Sequence, residues 1–285
     1  TKPHLVNWHE RYRLGVAGEK GRFVDDAVFA DALRRIEVAN EGQKITVFEI
    51  LTAVMFLLFS EHPADAAIVE VGLGGRFDAT NVINNPAVSV IMPISLDHEA
   101  YLGDRVELIA AEKAGIMKKG SPVVIGHQEY DAALETLVAT AERLGCPVSV
   151  YGQDFSAHEE FGRMVYQDEF GLTDAPLPRL PGRHQLANAA AAIRAVKAAG
   201  FEVTERMIEK AMTTVEWPGR LQRILTGKIA EMAPKDAEIW IDGGHNPGAG
   251  EVIAEAMAGF EEKTPRPLFI IAGLINTKDP VGYFK

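Results

Sequence analysis

Five consecutive stretches decide the fold: Ala87–Met92 (AVSVIM), Arg105–Lys119 (RVELIAAEKAGIMKK), Pro122–Ile125 (PVVI), Asp131–Leu144 (DAALETLVATAERL) and Pro147–Tyr151 (PVSVY). Three short apolar runs alternate with two longer segments of helical spacing. A short run that is apolar on successive residues reads as a strand covered on both faces, and helices between such strands let them run parallel. The pattern predicts an α/β architecture, a mostly parallel sheet flanked by helices. Gly120 and Gly145 stand where the two helices should stop.

Toward the N-terminus, Thr46–His62 is long and apolar enough for a buried helix, and Ala66–Val71 (AAIVEV) reads as a further short interior strand. The segment before them is polar and offers no leading strand. Toward the C-terminus, Asp154–Gly171 is polar and mixed, which predicts a small antiparallel excursion. Pro176, Pro178 and Pro181 then lead into Gln185–Ala199, a helix rich in alanine. Trp217-Pro218-Gly219-Arg220 is a second break and places a domain boundary there, giving units 1–217 and 218–285. The second unit predicts a strand at Glu238–Ile241, a helix to about Gly259 and a strand at Pro267–Gly273. So few strands make no covered sheet, so a chain truncated at both ends is expected.

Composition narrows the function. The 285 residues are 47% hydrophobic and 24% charged, ordinary for a globular protein with a real core. The formal charge of −11, with no long basic run, argues against general nucleic-acid binding, which needs clustered cations. The single cysteine, Cys146, rules out an internal disulfide and fits a reducing cytoplasm. The longest apolar stretch, Ile50–Phe59, is far short of the ~20 residues of a membrane span. Nothing at Thr1 reads as a signal peptide.

Four constellations could carry chemistry. In Glu70–Asn81 (EVGLGGRFDATN), Glu70 stands at the carboxyl end of an expected strand, the edge where α/β sheets bind ligands. A carboxylate there suits Mg²⁺, and the glycines let backbone approach a ligand; a tight turn with a surface acid is the competing account. Ser95-Leu96-Asp97-His98 falls at the same edge, where an acid and an imidazole could bind metal or simply cap a loop. Lys113 lies on a partly apolar helix. It reads as a surface lysine or, if buried, as a reactive amine that CO₂ converts to a metal-binding carbamate. Asp242–Pro247 (DGGHNP) joins a strand to a helix whose N-terminus favours anions; a structural turn competes here too. No GxGxxG fingerprint or GxxxxGK[ST] loop occurs.

Six motifs in order, EVGLGGRFDATN, SLDHEAYLG, AEKAGI, LPGRHQLANA, WPGRLQ and DGGHNPGA, resemble the bacterial dihydrofolate synthase/folylpolyglutamate synthase family of the Mur ligase superfamily. The opening Pro3-His4-Leu5…Glu10-Arg11 resembles the segment after that family's folate loop. The resemblance implies a P-loop NTPase-like central domain with part of a Rossmann-like C-terminal domain. It implies ATP-dependent C–N bond formation: a carboxylate is phosphorylated to an acyl phosphate, which the amine of L-glutamate attacks. The substrates would be dihydropteroate and folates, the cofactors ATP and Mg²⁺, and the state a monomer. By the same resemblance Glu70 and His98 bind Mg²⁺, and Lys113 is the carbamylated lysine. Asn188, Arg220 and Asp242 contact ATP, and His245 belongs to the C-terminal catalytic loop. Thr46 and Phe48, with Arg76, Phe77, Asp78 and Ala79, line the pterin side. The family's glycine-rich phosphate loop is expected upstream of Thr1, so little or no turnover is expected of these residues alone. A peptidoglycan-type Mur ligase and a non-catalytic binding or regulatory fragment are the alternatives; a purely structural helical module fits less well.

Overall fold

The computed structural model describes residues 4–96, 103–275 and 280–284. Backbone contacts divide the chain into two units, one ending at Asn84 and one starting at Asn85.

In the first unit, β1 (Arg13–Leu14) and β2 (Arg22–Phe23) form a short antiparallel pair ahead of helices α1 (Asp26–Asn40) and α2 (Val47–Glu61). Phe29, Ala32, Leu33 and Ile36 recur on one side of α1 and pack with Leu51, Val54 and Leu58 of α2. Tyr12 closes this core, its hydroxyl donating to the carbonyl of Leu51 at 2.8 Å, and burial pushes its phenol pKa up. Helix α2 starts where the sequence places it. Thr46 Oγ1 accepts from the Glu49 amide while the Glu49 carboxylate accepts from the Thr46 amide, a reciprocal cap. The expected strand Ala66–Val71 does not form. Ile68 is 93% exposed and the segment joins no ladder. A strand is stable only when a neighbour takes up its backbone N–H and C=O groups, and among the described residues of this unit only two-residue strands pair.

The second unit is built on the stretch quoted first. β3 (Ser89–Ile91), β4 (Val123–Ile125) and β5 (Val148–Val150) make a parallel sheet in the order β3-β4-β5. Helices α3 (Val106–Ala114) and α4 (Asp131–Arg143) connect them. Side chains of β4 alternate: Val123 and Ile125 pack with Ile109, Ala133 and Leu137, while Val124 packs on the other face. All three are at most 1% exposed, so each contributes about 1.5–3 kcal/mol by leaving water. Helix α3 is shorter than expected, because Gly115 ends it and the chain continues in tight turns that bury Met117.

The other face is covered by β6 (Phe155–Glu160), β7 (Arg163–Asp168) and β8 (Gly171–Pro176), an antiparallel sheet, and by α5 (His184–Ala198) and α6 (Glu205–Thr214). The antiparallel excursion and the alanine-rich helix stand as the sequence predicts. Small side chains at Ala189, Ala190 and Ala191 let α5 lie close against the sheet. A polar knot ties it there: Lys197 Nζ contacts Asp168 at 2.8 Å, and the same carboxylate accepts from Tyr166 and the Phe170 amide. Arg194 Nε donates to Ser149 Oγ at 2.8 Å and its guanidinium pairs with Glu169.

Further on, β9 (Gln222–Ile224) pairs antiparallel with β10 (Ile239–Ile241). The short helix α7 (Lys228–Met232) lies between them, and α8 (Pro247–Lys263) and the turn α9 (Pro280–Tyr283) follow. The expected strand Pro267–Gly273 is absent: Phe269 is 88% exposed and no described strand pairs with it.

Candidate functional site

Most chemistry-bearing residues gather on one loop in each unit, with Asn188 and Lys113 on helices outside both loops. In the first, Asp78 organises the glycine-rich loop. Its Oδ2 accepts from the amides of Gly72 and Leu73, each at 2.9 Å, and its Oδ1 accepts from the amide and hydroxyl of Thr80 at 2.9 and 2.6 Å. Four bonds fill the carboxylate's acceptor sites. Asn81 Nδ2 donates to the Arg76 carbonyl and closes the turn. Gly74 takes a left-handed φ of 65°. The ring of Phe48 occupies the place a Cβ on Gly72 would need, so this loop rests on the first turn of α2, just past the Thr46 cap. Phe77 projects outward, 87% exposed. Ala79 is half-buried and Arg76 exposed. Glu70 sits on the exposed approach to the loop rather than at a strand end.

In the second unit the turn Trp217–Gln222 meets the loop that opens α8. Asp242 Oδ2 accepts from the Leu221 amide at 2.7 Å and Oδ1 from the Gly244 amide at 2.6 Å. The Arg220 guanidinium lies where a Cβ on Gly243 would stand. His245 Nδ1 is 3.0 Å from the Gly243 carbonyl, which fixes the proton on that nitrogen. Asn246 caps α8, its Oδ1 accepting from the Ala249 amide, with Pro247 in the first turn. Ser95 packs against Gly248. A guanidinium beside a helix N-terminus is an arrangement suited to phosphate. The Tyr283 backbone stands where a Cβ on Gly250 would lie, so α9 rests against the start of α8; burial raises the Tyr283 phenol pKa and the Asp242 carboxylate adds to the rise.

Asn188 lies on the first turns of α5. Its Nδ2 donates to Gln185 Oε1 at 3.1 Å, and Gln185 Nε2 is 2.9 Å from His184 Nε2. His184 Nδ1 is buried with no hydrogen-bond partner among the described residues. Burial lowers the His184 pKa, against the pull of Glu255 and Asp242, so the ring is held neutral. The sequence reading named Asn188 and missed His184 and Gln185, although the spacing His-Gln-x-x-Asn on a helix puts all three within one turn. It also missed the Asp168–Lys197 pair, whose partners are 29 residues apart and carry no local signal.

Lys113 is half-buried on the last turn of α3. Asp97 and His98 lie outside the described residues. A cleft of about 540 Å³ runs beside β5 and β6, lined by Ser149, Gln153, Asp154, Gln167, Glu169 and Arg194 among others. None of the described residues singled out from the sequence lines it.

Comparison with known proteins covers nearly the entire chain. It is 32% identical, over 293 aligned positions, to a dihydrofolate synthase/folylpolyglutamate synthase of Haemophilus influenzae; that match takes in 100% of this chain and 64% of the relative. The chain therefore spans a little under two thirds of that relative's length. Among solved structures it resembles E. coli FolC in complex with DHPP and ADP, with a TM-score of 0.77, 31% identity, and 94% and 59% of the two chains covered. A bifunctional folylpolyglutamate synthase/dihydrofolate synthase with Mn, AMPPNP and L-glutamate bound gives a TM-score of 0.77 at 27% identity, covering 91% of this chain and 58% of that one. Residues 27–196 match the Mur ligase middle domain, and that stretch holds the parallel sheet, both helices that connect it and the glycine-rich loop. On a match over more than half its length, the chain belongs to the Mur ligase family and carries that family's middle domain.

Proposed function

We propose that this chain is part of an ATP-dependent ligase that joins L-glutamate to a pterin- or folate-derived carboxylate. The observation that carries this reading is the likeness, through both units, to one relative holding ADP and DHPP and another holding AMPPNP, Mn and L-glutamate. The domain division at 217/218 and a monomeric, cytoplasmic enzyme with small-molecule partners belong to the same proposal. Among the described residues no helix is long and apolar enough to cross a membrane.

Each named residue has a task the chain can support. Arg220, at the N-terminal end of α8, supplies a fixed positive charge for nucleotide phosphates. Asn188 offers a side-chain amide for the nucleotide, oriented by Gln185. Asp242 and His245 shape the loop between them. Phe77 and Arg76 present a ring and a cation for the pterin side, on a loop that Asp78 holds through four hydrogen bonds and Phe48 supports; Thr46 and Ala79 flank it.

Among the described residues no three His, Cys, Asp or Glu side chains gather as a metal-binding group. Mg²⁺ needs no such cage, since it keeps waters and takes one or two protein ligands plus phosphate oxygens. Exposed Glu70 fits that requirement, and the ion would supply charge neutralisation on the phosphates; His98, the second ligand that the family resemblance implies, lies outside the described residues. Lys113 acts as the carbamate: its neutral amine adds to CO₂, forming an N–C bond and releasing a proton.

The test is phosphate release by the protein at its natural length, with glutamate plus either dihydropteroate or tetrahydrofolate. Turnover with one of these supports the reading; turnover only with a UDP-sugar peptide replaces it by the peptidoglycan branch. Lys113→Ala should lower kcat by at least about 100-fold with the thermal transition unchanged. Retained activity removes Lys113 from the site.

A further inference from the structure

Leu221 carries a φ of 38°, in the left-handed region that a side chain with a Cβ rarely enters, and it is 7% exposed. A strained residue of this kind persists only where its surroundings over-determine it. Two things do so here. The Leu221 amide donates to Asp242 Oδ2 at 2.7 Å, while the other oxygen of the same carboxylate takes the Gly244 amide at 2.6 Å. The turn is also pinned from within: the Arg220 amide donates to the Trp217 carbonyl, and the Gly219 amide to Gln222 Oε1 at 2.8 Å. The outcome is that Arg220 points its guanidinium into the space left by the missing side chain of Gly243.

We propose that Asp242 is a positioning residue for Arg220: its carboxylate clamps the strained Leu221 backbone to the loop opening α8 and so aims the guanidinium. This rests on the reading of Arg220 as a nucleotide-binding cation. Asp242 is itself exposed, so a direct contact to a nucleotide hydroxyl is the rival role. The two roles differ in chemistry. Two backbone N–H groups need two acceptors, which a carboxylate has. An asparagine amide has one acceptor and one donor, and its donor must face an N–H. A hydroxyl both donates and accepts, so asparagine satisfies it as well as aspartate.

The experiment pairs Asp242→Asn with a second change at Leu221, in the protein at its natural length. Asp242→Asn should lower kcat/KM about tenfold. Adding Leu221→Gly, or Leu221→Asn to keep side-chain bulk, should recover about threefold or more, because both residues accept the left-handed backbone without the clamp. Amide hydrogen exchange supplies a readout independent of activity. Asp242→Asn should accelerate exchange at Leu221 or Gly244 about tenfold and leave Val124 unchanged. Lost activity with unchanged exchange and no recovery from either Leu221 change overturns the clamp and leaves the hydroxyl contact. Full activity in Asp242→Asn with unchanged exchange also overturns it. Faster exchange in a protein that ligates none of the tested substrates leaves the clamp standing and removes the proposed function instead.

Discussion

Residues 123–125 and residues 66–71 look alike as sequence and end in opposite states. VVI at 123–125 lies at most 1% exposed between two packed faces, and AAIVEV at 66–71 lies open, with Ile68 93% exposed. Both are short, apolar and β-branched. The difference is the neighbour: β4 has a parallel partner on each side, whereas 66–71 joins no ladder among the described residues. Pro267–Gly273 repeats the second case. Apolar character makes a run fit to be a strand, but hydrogen-bonding partners make it one.

That contrast can be broken by matched truncations. Leu137→Ala, beneath β4, should cost about 2–5 kcal/mol in urea unfolding, and Ile68→Ala should stay within about 0.5 kcal/mol. Equal losses would show that 66–71 is buried in solution. A smaller effect is expected at the polar knot on the far side of the sheet. Lys197→Met should cost about 1–3 kcal/mol, because it strips a cation from the Asp168 carboxylate, whose side chain is 1% exposed. Burial pushes the Asp168 pKa up, but Lys197, Tyr166 and the Phe170 amide outweigh it and hold the group below its ordinary value. A carboxylate depressed in the folded state stabilises above its unfolded pKa of about 3.9, and that stability is lost as pH falls through the lowered value. Lys197→Met should therefore move the acid unfolding limb to higher pH, and an unmoved limb would mean the pair is not formed. A smaller loss than at the knot belongs to the other unit: Thr46→Ala should cost about 1 kcal/mol by circular dichroism melting, and Thr46→Asn much less.

The candidate site divides along the same line. The loops DGGHNP and EVGLGGRFDATN were legible because short glycine-rich spacings leave a turn few alternatives. The role of Asp78 was not. As a lone acid in a motif it reads as a substrate ligand, and only the folded loop shows four local hydrogen bonds filling it. Helices α1 and α6 do carry local signals in the sequence: Phe29, Leu33 and Ile36 stand at helical spacing, and Thr204 caps α6 with Ile208 and Met212 one turn apart. The left-handed Leu221 had no signal at all, since leucine disfavours that backbone.

Local order was settled by the chain alone. The α/β alternation of 87–151, the cap at Thr46, the stop near Gly145 and the glycine turns all follow from preferences that act over a few residues. Partnership was settled by the tertiary structure. Which apolar run finds a ladder, which carboxylate meets Lys197 and where Arg220 is aimed depend on groups distant in sequence, and a hydrogen bond exists only when both its ends have been brought to one place.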